Sequence, residues 1–322
     1  MPKHKPIDPN EDQVPADTEA LNQRILNAVA EAPDVWSLDL DMVRQARREG
    51  KGIFPLEPFD LNAEDFTVSG PASPITVRAI RPEGREETGT FMHIHGGGWV
   101  FGNADMQDQR LKELANGTGL ACLSVEYRLS PEHPYPAAPD DCEAVALWLA
   151  EIGGERFNTS FLAIGGESAG GHLAANTLIR LRDKHQKTPF HAAVLIAGIF
   201  DLGMTPSAAN FKSDLILRHK DMVNFANCYL QNNEDRRHPD ISPLYAPAHD
   251  MPPTHFSIGT ADPLMDDSLF IASCWAQCQA DIELDIYPGA CHVFQYFDAL
   301  QQAKESRANI IDFLNRVRES RS

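Results

Sequence analysis

Basic residues are scarce in this chain: 28 lysines and arginines face 46 aspartates and glutamates, a formal charge of −18 over 322 residues. A surface of that sign repels phosphate backbones. The clusters Arg47-Arg48 and Arg236-Arg237-His238 are too short to reverse it, which argues against nucleic acid as a partner. Long apolar runs are missing too; the longest, Ala192 to Phe200 with Gly198 inside it, falls far short of a membrane span. The stretch Met1 to Pro9 is polar and proline-rich and lacks the apolar segment of a signal peptide, so a cytoplasmic location is expected. Cysteine is sparse, with six residues (122, 142, 228, 274, 278 and 291) in no disulfide-scaffold spacing. Cys274 and Cys278 would share a helix face but lack further zinc ligands nearby, so all six are expected to be reduced packing residues. No Gly/Ser or Pro linker divides the chain, which favours a single domain over 1–322, with residues 1–16 expected to be disordered.

What the chain does have is alternation. Apolar β-type runs at 75–80, 90–94, 121–125, 161–164, 192–196, 254–258 and 282–287 are separated by helical patterns at 105–117, 140–152, 169–184, 264–280 and 303–319. Asp140-Asp141 after Pro139 reads as the N-cap of its helix. Strand, helix, strand in this rhythm predicts an α/β fold, a mostly parallel sheet with helices on both faces. Two regions break the rhythm: the amphipathic segments 17–31 and 39–49, and nearly sixty residues between 196 and 254 that hold a helical stretch at 219–231. Connections of that length are usually functional. Segments of about 17–50 and 203–240 are therefore expected to form a helical cap over the carboxyl edge of the sheet.

Chemistry is concentrated in two glycine motifs. Gly166-Glu167-Ser168-Ala169-Gly170 follows the strand at 161–164, where a sharp strand-to-helix turn would present the Ser168 hydroxyl at the top of a sheet. His95-Gly96-Gly97-Gly98-Trp99 follows the strand at 90–94, and its glycines free backbone N–H groups to converge on one point. Acyl transfer needs that convergence, because the attacked carbonyl oxygen becomes an anion. Gly97, Gly98 and Ala169 are the candidate donors. Nucleotide-loop readings fail, since neither motif carries a Walker A or dinucleotide register.

A serine nucleophile needs a base and an orienting acid, which follow it in the order acid, then histidine. His292 is the only histidine beyond residue 260, and Asp262 closes the strand before it. Asp262-Pro263 is also a good helix N-cap, and both roles are compatible. Asp266, Asp267 and Asp285 sit within a helix or strand and point less well. Glu167 reads as an electrostatic tuner, a surface turn residue or an ion-pair partner, His95 as a loop-fixing residue and His172 as packing. Cys291 beside His292 suggests sensitivity to thiol reagents.

Together with Tyr127 to Pro136, Ser242-Pro-Leu-Tyr-Ala246 and Asp262-Pro-Leu264, these motifs resemble the hormone-sensitive-lipase family of α/β-hydrolases over roughly residues 85–320. The resemblance implies an eight-stranded α/β-hydrolase sheet and a Ser168-His292-Asp262 carboxylesterase of the bacterial type. It also implies small-molecule esters of short to medium acyl chain, no metal or organic cofactor, and a structural role for Tyr127 to Pro136. Relatives commonly have Gly or Ala where Val293 follows the histidine, and Asp or Thr where Glu167 precedes the serine. Amide hydrolysis of the arylacetamide-deacetylase kind, a true lipase, and a non-catalytic ligand-binding relative are the rival readings. Oligomeric state is left open, a homo-oligomer included.

Overall fold

The computed structural model describes residues 3–4, 13–278 and 280–321. Its strands are β1 (Lys3–His4), β2 (Glu64–Val68), β3 (Ile75–Ile80), β4 (Gly89–Ile94), β5 (Leu120–Val125), β6 (Leu162–Glu167), β7 (Ala192–Ile196), β8 (Thr254–Ala261) and β9 (Ile282–Cys291). Helices α1 (Ala16–Glu31), α2 (Leu40–Arg48), α3 (Asp108–Thr118), α4 (Ala137–Glu151) and α5 (Ala169–His185) precede α6 (Pro206–Asn210), α7 (His219–Tyr229), α8 (Met265–Gln277) and α9 (Gln301–Glu319).

All the strands join one sheet in the order β1-β9-β8-β7-β6-β4-β5-β3-β2, with only the β2–β3 and β3–β5 pairs antiparallel. The eight-stranded, mostly parallel α/β-hydrolase sheet is therefore present, extended by the two-residue β1 beside Glu283 and Leu284. Central strands β4, β5 and β6 are buried at every residue, because helices cover both faces. On one face α3 and α9 pack Leu111, Ala115, Ile310, Phe313 and Leu314 against Phe91, Ala163 and Val194. On the other, α4, α5 and α8 close a larger core around Met92, Ile164, Leu195 and Phe256. Helix α5 sits deepest, with no exposed residue from Ala169 to Arg182.

This topology fixes where chemistry can occur. The chain runs from β4 outward to β5, then returns to place β6 on the opposite side of β4. Between the carboxyl ends of β4 and β6 lies the switch point where open α/β sheets hold their ligands. The two glycine motifs leave these two strand ends.

Three expectations need amendment. Helix α4 starts at Ala137, so Asp140 and Asp141 lie inside it; its N-cap is Pro136, and Asp141 instead pairs with Arg128 at 2.8 Å. Strand β2 was not anticipated: Glu64-Asp65-Phe66-Thr67-Val68 is an edge strand with only Val68 fully buried, so its apolar signal is weak. Of the stretch 1–16 expected to be disordered, residues 1–2 and 5–12 lie outside the described residues, while Lys3–His4 pairs with β9 and Ala16 opens α1.

Candidate active site

Ser168 stands between β6 and α5 with φ 56° and ψ −120°, a backbone conformation that a non-glycine residue rarely holds. Surrounding contacts enforce it. The Ser168 N–H donates to Ile196 O at 2.9 Å, and its carbonyl accepts from His172 N–H at 3.1 Å. Gly166 and Gly170 are required here because the Ile94 carbonyl passes between them; a Cβ on either would collide with that oxygen.

Ser168 Oγ lies 2.9 Å from His292 Nε2, and His292 Nδ1 lies 2.8 Å from Asp262 Oδ2. A carboxylate can only accept, so the ring proton belongs on Nδ1 and the Nε2 lone pair faces the serine hydroxyl. Asp262 is buried, and its other oxygen accepts from Leu264 N–H at 2.9 Å. The N-cap of α8 is Leu264, so Asp262 supports the turn into that helix with one oxygen and holds the imidazole with the other. The alternative acids face elsewhere. Asp266 accepts from Ser207 N–H at 2.8 Å, and Asp285 meets Tyr287 and Asn309. Asp267 takes the amides of Phe200 and Asp201 and the Thr205 hydroxyl. Burial pushes Asp267 up to about 7 against the pull of those hydrogen bonds.

Beside the serine, Gly97 and Gly98 take φ 116° and 63°, which suits residues without a Cβ. A Cβ on Gly97 would strike the Phe101 carbonyl, and one on Gly98 the Phe225 ring. The amides of Gly97, Gly98 and Ala169 donate no hydrogen bond among the described residues. The loop is held at its neighbours instead. His95 Nδ1 donates to Gly96 O at 2.9 Å, and the ring stacks on Tyr127 at 4.2 Å between centroids. Tyr127 OH donates to His95 O at 2.9 Å, and Ser130 N–H to Trp99 O at 2.8 Å. Tyr127 to Pro136 thus buttresses the glycine loop.

Two buried polar residues tie this loop to the rest of the fold more tightly than the sequence suggested. Glu167 is no surface turn residue: its Oε1 accepts from Gly96 N–H at 2.5 Å, Gln107 Nε2 at 2.5 Å and Tyr296 OH at 3.1 Å. Its Oε2 lies 3.1 Å from His93 Nε2. Burial alone would raise its pKa, but His93 and the Gly96 amide override that and hold it below the ordinary carboxylate value. His172 does more than pack. Its Nε2–H donates to Ile241 O at 2.8 Å, leaving Nδ1 to accept from Trp99 Nε1–H at 3.2 Å. Burial lowers both His95 and His172 to about 4, so both rings are neutral at neutral pH. A motif scan could not find His93, Gln107 or Tyr296, since they converge on Glu167 only through the sheet.

A family model described as the alpha/beta hydrolase fold matches residues 91–296. The acetyl esterase of Salmonella typhi is 31% identical over 270 residues, 81% of this chain and 82% of that protein. This chain belongs to the α/β-hydrolase fold family. The carboxylic ester hydrolase LipN of Mycobacterium tuberculosis is 30% identical over 242 residues, covering 73% of this α/β-hydrolase and 64% of LipN. Among solved structures, the hyperthermophilic esterase of the archaeon Pyrobaculum calidifontis superposes with a TM-score of 0.83 at 28% identity, over 92% of this chain and 97% of that one. The resemblance to hormone-sensitive-lipase relatives read from the motifs is borne out.

The α/β-hydrolase opens a cavity above Ser168 and His292, about 1240 Å³ counted out to its solvent-open mouth. Gly96, Gly97 and Gly98 form its floor with those two residues, while α1, α2, the segment 53–55 and α7 supply Val29, Arg47, Phe54 and Phe225. A smaller cavity of about 640 Å³ lies behind Glu167 and Tyr296, between the sheet and α3 and α9, and touches neither Ser168 nor His292. Val293 borders both and takes φ 47°, a left-handed conformation in which a β-branched residue is strained. Glycine would be unstrained there. Cys291 is fully buried and its thiol is pushed up to about 12, first by burial and then by Asp262. Both features argue against the expected thiol-reagent sensitivity, which needs an accessible thiolate. Among the described residues no three His, Cys, Asp or Glu side chains gather as a metal site, and no helix is long and apolar enough to cross a membrane.

Proposed function

We propose that this α/β-hydrolase is a serine carboxylesterase of small-molecule esters with short to medium acyl chains. The observation that carries the reading is the unbroken hydrogen-bond chain Ser168–His292–Asp262 opening into the cavity beside the Gly97, Gly98 and Ala169 amides. Ser168 Oγ attacks the ester carbonyl as His292 Nε2 takes its proton. Asp262 keeps the imidazole in the required tautomer and stabilises its cationic form. The three amides receive the oxyanion; one such donor is typically worth about 3–4 kcal/mol in the transition state. His292 then protonates the leaving alcohol, and water repeats the sequence on the acyl-enzyme. Every proton transfer runs through these side chains, so the chemistry calls for no metal or organic cofactor.

The helical segments 17–50 and 203–240 act in this reading as a cap that shapes the acyl and alcohol pockets. Val35, Ile216, Leu217 and Phe225 on the cavity wall support that role. Turnover of p-nitrophenyl butyrate by the parent and its loss in a folded Ser168→Ala variant is the expected result; undiminished turnover in that variant rejects the assignment. A parent that hydrolyses anilides better than matched esters would move the reading to an amidase.

A further inference from the structure

One charge on the cavity wall makes no ion pair or hydrogen bond with a described residue. Arg47, in the last turn of α2, lines the same cavity as Ser168 and His292. Its guanidinium lies over the Phe101 ring, 4.3 Å from the centroid, and makes no hydrogen bond or ion pair with a described residue. The carboxylate whose field it feels is Asp221. That carboxylate is already engaged: Oδ2 accepts from Arg218 N–H at 3.0 Å and Nε at 2.7 Å. Oδ1 accepts from Arg218 Nη2 at 2.8 Å and Trp36 Nε1 at 2.8 Å. Arg218, which also lies 3.7 Å from Asp34, takes the Asp221 hydrogen bonds, and Arg47 is left with only the field of that carboxylate. The other acidic group on the wall, Glu167, is spent on His93, Gly96, Gln107 and Tyr296.

Burial lowers Arg47 to about 10, which leaves it charged at neutral pH. A half-buried cation without a partner is costly. Here it persists in a chain of net charge −18, facing the cavity rather than the surface acids. A guanidinium fork also matches carboxylate geometry, with two parallel N–H groups for two oxygens.

We propose that Arg47 selects esters bearing a carboxylate remote from the scissile bond, binding that carboxylate while the ester carbonyl lies at Ser168. This rests on the esterase reading. The competing role is a purely structural clamp of α2 on Phe101 through the cation–π contact.

Matched substrates separate the two. Mono-p-nitrophenyl glutarate against p-nitrophenyl pentanoate places the carboxylate on the acyl side; 4-acetoxybenzoate against 4-acetoxybenzamide places it on the alcohol side. For at least one pair the parent enzyme favours the anion, chiefly through KM. Arg47→Met lowers that anionic-to-neutral ratio of kcat/KM about tenfold or more, and Arg47→Lys lowers it less. Equal losses on both members of each pair, or ratios unchanged within about twofold, overturn the proposal. A second measurement needs no variant: benzoate inhibits the parent enzyme more strongly than benzamide, and equal inhibition counts against Arg47. Failure of the parent to turn over either neutral ester would instead sink the esterase reading, so the two failures are distinguishable.

Discussion

Glu167 holds the 95–98 glycine loop through the Gly96 amide, and two substitutions there separate its hydrogen bonds from its charge. Glu167→Ala strips the acceptor from Gly96 N–H, Gln107 Nε2, Tyr296 OH and His93 Nε2 together. Gln107 and Tyr296 line the cavity and can turn toward it, but the Gly96 amide and the buried His93 ring cannot move far. Two buried groups left unsatisfied cost about 1–3 kcal/mol each, so a stability loss of about 2–6 kcal/mol is expected. The loop bearing Gly97 and Gly98 also loses its anchor. Partial displacement of a donor worth about 3 kcal/mol predicts a fall in kcat of about tenfold to a hundredfold with little change in KM. Glu167→Gln behaves differently. Its Oε1 keeps the three donors, and its amide N–H can donate to His93 Nε2 once the ring proton sits on Nδ1, 3.0 Å from Ser124 Oγ. Urea unfolding and steady-state kinetics on p-nitrophenyl butyrate read both effects. An alanine variant with parental kcat would refute the anchoring argument, and a glutamine variant as impaired as alanine would show that charge, not hydrogen bonding, does the holding.

Three other perturbations test the remaining parts. Asp262→Asn should lower kcat by up to about four orders of magnitude with the fold retained, and a severe loss at Asp266 with little at Asp262 would relocate the acid. His172, neutral in the folded chain at about 4 against an ordinary 6.5, contributes stability that is fully present above about pH 6.5 and lost as pH falls toward 4, because the unfolded chain takes the proton first. Over that range the parent should lose about 3 kcal/mol more than His172→Gln. Asp267, raised to about 7, works in the opposite sense in both proteins, so the difference between their urea curves is the readout; equal curves would contradict the burial argument. Thiol reagents at neutral pH should label exposed Cys278 and leave buried Cys291 untouched with activity intact; inactivation that tracks Cys291 modification would count against this account.

The strand and helix pattern was legible because buried parallel strands are nearly continuous apolar runs and their crossovers carry a helical period. Boundaries suffered where hydrogen bonding overrode apolar content. Strand β6 runs on to Glu167 because Gly165 and Gly166 pair with Val194 and Leu195, which no hydrophobicity reading reveals. The charged edge strand β2 and the short α6, with Ala208 its only buried residue, left too little apolar signal to see. Within the site, the meeting of Ser168, Asp262 and His292 at hydrogen-bond distance follows the motif order, because a single topology imposes that order. Glu167 could be read only as a choice between a tuning, a surface-turn and an ion-pair role. Its partners come from β4, the N-cap of α3 and the turn after β9, and the choice narrows only when the sheet brings His93 and Gln107 against it. Arg47 was visible only as part of a basic pair, and its place on the cavity wall without an ion pair to a described residue is a property of the fold.

Esterase chemistry at this site requires the Ser168 oxygen to be the nucleophile. Treating the protein with an alkyl fluorophosphonate and weighing it intact should add one phosphonyl group, mapped to the peptide containing Ser168 and absent from Ser168→Ala, with loss of esterase activity in step. A parent that hydrolyses esters while Ser168 stays unmodified, or an adduct that persists in Ser168→Ala, would contradict it.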